Sequence, residues 1–139
     1  MRASILLTAV AVLSDHALAT ITPYPNNTLT STTAVNLSDA CILAMEADID
    51  CNPYLATIAN VDVYGAIESG NQTEICDASC GESLSSYRAS VITACSDDIQ
   101  AWQGYNHEYY SDYLWASYNL TCLTDSTTGA FCTGKFLGR

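Results

Sequence analysis

The chain has 139 residues and is strongly acidic, with 15 Asp and Glu against four Lys and Arg and a net charge of −11. Such a surface repels the phosphates of nucleic acid and of anionic membranes, which excludes both as partners. The length suits one domain with a modest core, and seven cysteines at that length point to an oxidising compartment where disulfides supplement the core.

The first element, residues 1–19, reads as a secretory signal peptide. It has Arg2, an apolar run from Ile5 to Leu13, and Ala17-Leu18-Ala19 ahead of a cleavage point before Thr20. The run falls short of the about 20 apolar residues of a membrane span, so the mature chain is expected to be soluble, secreted and extracellular. Residues 20–37 are rich in Thr, Ser, Asn and Pro and are expected to form a flexible leader. Four N-x-[ST] motifs, at Asn26, Asn36, Asn71 and Asn119, are candidate N-glycosylation sites.

A disulfide-rich helical domain is expected over residues 38–133. Ser38 is placed to cap a first helix over about 39–49, with Asp39 in its first turn and Ile42, Met45 and Ile49 on one face. Asn52-Pro53 starts a second helix that buries Leu55 and Ile58 and runs to Asn60. Residues 61–70 are ambiguous, with Gly65 and Gly70 as breakers. Asn71-Gln72-Thr73-Glu74 is a cap signal for a short helix carrying Ile75 and Cys76.

The clearest helix opens at a capping box, Ser79-Cys80-Gly81-Glu82. Cys80, Leu84, Tyr87, Val91 and Cys95 then repeat at helical spacing and form one core stripe. A last helix over about 111–122 starts at Ser111 and Asp112 and turns Leu114, Trp115, Tyr118 and Cys122 inward. A polar turn from Thr124 to Gly129 precedes Phe131-Cys132, and residues 134–139 form a tail. No segment alternates like a strand. The expected fold is all-α, a small bundle of four to five short helices stapled by disulfides.

Cys41, Cys51, Cys76, Cys80, Cys95, Cys122 and Cys132 are the disulfide candidates. Their number is odd, so one is left over as a free thiol or as the link of a dimer, and six cysteines alone allow 15 connectivities. No metal or cofactor is expected, because no C-x2-C pair occurs and only His107 remains after the signal.

Seven of the 13 aromatic residues lie between Trp102 and Tyr118. Trp102, Tyr105 and Tyr109 are candidates for stacking on sugar rings, with Asn106, His107 and Glu108 as hydrogen-bonding neighbours. The same residues also read as a loop lid over a core filled by Trp115 and Tyr118. His107, Glu108 and Asp112 have no marked nucleophile beside them, so no enzyme is expected. Asp97-Asp98 reads as solvated.

Several segments in order resemble the cysteine-rich region that precedes the LysM modules of secreted fungal LysM-domain proteins. They are Cys41 and Cys51-Asn52-Pro53-Tyr54, Ile75-Cys76-Asp77-Ala78-Ser79-Cys80-Gly81-Glu82-Ser83-Leu84, Ala94-Cys95, Gly104-Tyr105, Leu114 to Leu123, and Thr127 to Cys132. The resemblance implies a non-enzymatic fungal extracellular protein, acting at the cell wall or a host interface, with cell-wall polysaccharide or a host protein as partner. LysM modules in that group bind chitin or related polymers. Only seven residues follow Cys132, too few for a module on the roughly 40-residue repeat scale, so chitin binding is not carried over with the resemblance. The alternative is a small all-α lipid or sterol carrier of the elicitin-like type, with Leu84, Val91, Leu114 and Trp115 lining a cavity.

Overall fold

The structure, a computed structural model, describes residues 19–24, 29, 37–61, 67, 69–98 and 106–132. Residues 1–18 of the signal segment 1–19, the tail 134–139 and the breaker Gly65 lie outside them. The elements run β1 (Thr20–Ile21), α1 (Asp39–Met45), β2 (Ile49–Asp50), α2 (Tyr54–Val61), α3 (Ser69–Ile75), α4 (Ala78–Ala94) and α5 (Tyr109–Thr121). This is the small disulfide-stapled helical fold expected, with one addition: β1 and β2 pair antiparallel, Thr20 opposite Asp50 and Ile21 opposite Ile49.

The helix starts show how local chemistry fixes the elements. Ser38 caps α1 by accepting from the Cys41 N–H, and Asn52 Oδ1 accepts from the Tyr54 N–H at 2.8 Å to open α2. Helix α1 ends at Met45 rather than near residue 49, because Ile49 is drawn into the strand pair and buried there. The capping box expected at Ser79 is replaced by Asp77. Its carboxylate accepts from the Ser79 N–H at 2.9 Å and the Ser79 hydroxyl at 2.7 Å, which holds its pKa below the usual carboxylate range. Gly70 does not break the chain but lies within α3.

Helix α4 is the spine. Its stripe Cys80, Leu84, Tyr87, Val91 and Cys95 is buried throughout, and α1, β2 and α5 all pack against it. Helix α5 also packs on α2 and α3. Gly81 permits a close approach here: a methyl group added to it would overlap the Tyr118 hydroxyl.

Three disulfides cross-link this arrangement: Cys41–Cys95 ties α1 to the end of α4, Cys51–Cys80 ties the β2 end to the start of α4, and Cys76–Cys122 ties α3 to the end of α5. They span 54, 29 and 46 residues of sequence. Cys132 is free and half-buried. It follows a small closed turn in which Thr124 bridges Phe131, the Asp125 carboxylate accepts from the Thr127 and Thr128 N–H groups, and Gly129 sits at φ 68°.

Described residues of the 20–37 stretch pack on the helices. Ile21 and Leu29 belong to the same buried cluster as the α4 stripe, and the Tyr24 ring meets that of Tyr110 on α5 at 5.7 Å. Sparse apolar residues in a polar stretch dock because the stapled helices already offer them a formed surface. No helix among the described residues is long and apolar enough to cross a membrane.

Candidate functional site

The aromatic-rich segment divides between inside and outside. Ser111, Leu114, Ser117 and Thr121 form the fully buried face of α5. Trp115 and Tyr118, expected inward, are only partly buried and stack on each other at 5.8 Å. The inner face is therefore rotated towards the small polar residues, which let α5 lie close to its neighbours.

On the outer side, Tyr109, Asp112 and Tyr113 follow the i, i+3, i+4 spacing that puts side chains on one helix face. The Tyr109 and Tyr113 rings are 6.0 Å apart and within 8° of parallel, and Tyr109 is 48 % exposed. Beside them the guanidinium of Arg88, from the outer side of α4, pairs with the Asp112 carboxylate. Asp112 stands in the first turn of α5, where the helix dipole favours a negative charge. Just upstream, Asn106 Oδ1 accepts from the Glu108 N–H at 3.3 Å, and His107 Nε2 lies 3.7 Å from Glu108 Oε1. A ring face next to an ion pair can stack on a sugar ring while hydrogen-bonding its hydroxyls. Of the three candidate stacking residues, Tyr109 is on this face; Trp102 and Tyr105 lie outside the described residues. Nothing in the sequence pattern marked Arg88 for this place, although it is one of only four basic residues in the chain.

A second tyrosine group packs in and against the core, with Tyr87 buried and Tyr24 and Tyr110 partly buried. Tyr87 donates to the Met45 carbonyl at 2.8 Å, and burial pushes its pKa up. Burial raises that of Tyr110 as well, and burial followed by the proximity of Tyr110 pushes Tyr24 to about 12. These phenols stay neutral and hold the N-terminal segment, α4 and α5 together.

Asp98 is not merely solvated. Its carboxylate accepts from the Ser38 N–H at 3.2 Å and the Ser38 hydroxyl at 2.9 Å, closing the start of α1 against the end of α4. It also lies near Cys41 and Cys95, a grouping with metal-ligand spacing. The two sulfurs are bonded to each other, so they are not available as thiolate ligands.

Leu84, Val91 and Leu114, the residues of the carrier alternative, are packed in the core cluster with Trp115 against it. An open groove of about 430 Å³ lies elsewhere, between α1 and α4, lined by Ala44, Ala89, Ser90, Thr93 and Ala94. Of the glycosylation candidates, Asn119 is exposed near the end of α5 and Asn71 is half-buried in α3; Asn26 and Asn36 lie outside the described residues.

Comparison with known proteins gives a consistent result. A family model described as the secreted LysM effector N-terminal domain matches residues 21–135, which takes in Ile21 and Leu29 along with the helices. A protein of Penicillium expansum named "Non-secreted LysM effector LysM15" is 32 % identical over 97 residues, covering 69 % of this chain. The matched stretch is 7 % of that relative's length. No solved structure matches the chain significantly.

Proposed function

The chain belongs to the family of secreted LysM effector N-terminal domains, and from that premise we propose that it works outside the cell as a non-enzymatic effector-type protein. In this reading it acts at the fungal cell wall or the host interface and meets wall polysaccharide through Tyr109, Asp112 and Tyr113 of α5 with Arg88 of α4. The observation that carries the contact is the parallel tyrosine pair of α5, with Tyr109 half-exposed, beside an ion pair that joins α5 to α4. The three bridges support the extracellular location, since disulfides persist where thiols are not kept reduced. Support for a binding role comes from the composition of the face, which offers stacking and hydrogen bonding but no nucleophile held by a base. Polysaccharide is the partner class because an exposed aromatic ring beside charged hydrogen-bonding groups suits the faces and hydroxyls of sugar rings.

The test is co-sedimentation of the purified chain with insoluble chitin, β-glucan and whole fungal cell walls. Binding to at least one of them is expected, weakened several-fold by Tyr109→Ala without loss of helical structure. Failure to sediment with all three would remove the wall contact. Co-purified lipid in native mass spectrometry would favour the carrier alternative instead.

A further inference from the structure

Thr121 is fully buried in α5, and its hydroxyl, like that of Ser117 one turn earlier, has no hydrogen-bond partner among the described residues. An unpaired buried hydroxyl disfavours the fold, and valine would fill the same space without one. Thr121 is also the third residue of the acceptor motif Asn119-Leu120-Thr121. We propose that this motif is an N-glycan acceptor used only before α5 closes, and that the Thr121 hydroxyl, idle in the folded domain, is retained for that reaction.

Burial of the hydroxyl and the fixed end of α5 block the reaction in the folded domain, beyond what helix geometry alone does. The motif requires the asparagine amide and the hydroxyl two residues on to be reached together. In an α-helix residues i and i+2 are rotated by roughly 200° about the axis and do not share a face. Asn119 is exposed while Thr121 is fully buried. The Asn119 amide nitrogen already donates to the Trp115 carbonyl at 2.8 Å. The end of the helix is held as well: the buried Gln72 amide donates to the Thr121 carbonyl at 2.7 Å, and the next residue, Cys122, is bonded to Cys76. In the open chain none of these constraints exists. There the Asn119 amide nitrogen attacks the anomeric carbon of an oligosaccharide carried on a lipid pyrophosphate. The C–N bond forms as the bond from that carbon to the pyrophosphate oxygen breaks, the amide gives up one proton, and the lipid pyrophosphate leaves.

Asn71-Gln72-Thr73 supplies the internal comparison. It too lies in a helix, but Asn71 is half-buried and Thr73 exposed, so neither group is sealed in the core. Folding should restrict it less.

Occurrence in the cell rests on the extracellular reading above, so the decisive test uses purified chain. The full chain, either oxidised and folded or reduced, alkylated and unfolded, is incubated with oligosaccharyltransferase and lipid-pyrophosphate oligosaccharide, and glycopeptide mass spectrometry reads both sites. The unfolded chain is expected to be modified at Asn119 and Asn71, and folding is expected to slow Asn119 at least tenfold and Asn71 less. Equal rates at Asn119 in the two forms, or equal slowing at both sites, would overturn the proposal. Thr121→Val should abolish modification of Asn119 and raise the Tm of the unglycosylated chain by about 4 °C, whereas Thr121→Ser should keep the site. A lowered Tm in Thr121→Val would show that the hydroxyl serves the fold and overturn its assignment to the reaction. If the unfolded chain is a substrate but chain recovered from a fungal host carries no glycan at any motif, the acceptor assignment stands and the extracellular reading fails.

Discussion

Replacing Cys41 and Cys95 together by alanine removes the bridge between α1 and the end of α4, and its cost follows from the chain the bridge closes. The cysteines are 54 residues apart, which in the chain-entropy treatment corresponds to about 4.2 kcal/mol. Cys51–Cys80 lies within that span and, while intact, shortens the loop to about 25 residues, which lowers the figure to about 3.5 kcal/mol. Both cysteines are fully buried, so alanine also leaves a small cavity. Against a total stability of about 5–15 kcal/mol the loss is large. Urea unfolding followed by circular dichroism, with the other two bridges verified by mass, should show a midpoint lowered by about 2 M, or a chain unfolded without urea. A shift under about 0.5 M would refute the reasoning, because the bridge would then restrict nothing that the rest of the fold does not already restrict.

Three further outcomes follow from the packing. Leu84→Ala, at the centre of the α4 stripe, should cost about 2–5 kcal/mol in the same urea assay, whereas the exposed Leu43→Ala should cost under about 0.5 kcal/mol. Asp98→Ala removes the acceptor for Ser38 and should cost about 1 kcal/mol, read as a lower Tm together with faster amide exchange in the first turn of α1. The core-packed tyrosines make the fold sensitive to alkali. Tyr24 titrates at about 12 when folded and about 10 when unfolded, so the folded state retains its proton longer. Its contribution to stability is therefore complete below about pH 10 and is lost as pH rises through about 12. Tyr24→Phe should flatten that decline in denaturation curves taken across the window, and an unchanged slope would contradict the placement.

Legibility in the sequence followed the strength of the physical signal. The α4 stripe was readable because five apolar or cysteine positions repeat at helical spacing over four turns, and a stripe of that length has to be core. The inward face of α5 was not, because Ser117 and Thr121 carry hydroxyls that argue for solvent, whereas the packed helices need small residues there. Docking of the leader was hidden for a related reason. Ile21 and Leu29 are too isolated to order a segment themselves, and their burial depends on a surface that distant residues assemble. Pairing of the cysteines was open because sequence spacing does not say which elements become neighbours; α1 and β2 packing on α4, and α3 on α5, decides it. Of the candidate site, the aromatic density around Tyr109 was visible, but Arg88, 24 residues away from Asp112, became part of it only through the packing of α4 on α5.

Six cysteines in three interlocking bridges hold the helical domain of this chain together. A disulfide map of the chain recovered from the culture medium of a fungal host tests it directly, using proteolysis without reduction after alkylation of free thiols. Linked peptides Cys41–Cys95, Cys51–Cys80 and Cys76–Cys122 are expected, with Cys132 outside all three. Recovery of a different pairing among those six, or of a chain with every cysteine alkylated, would contradict it.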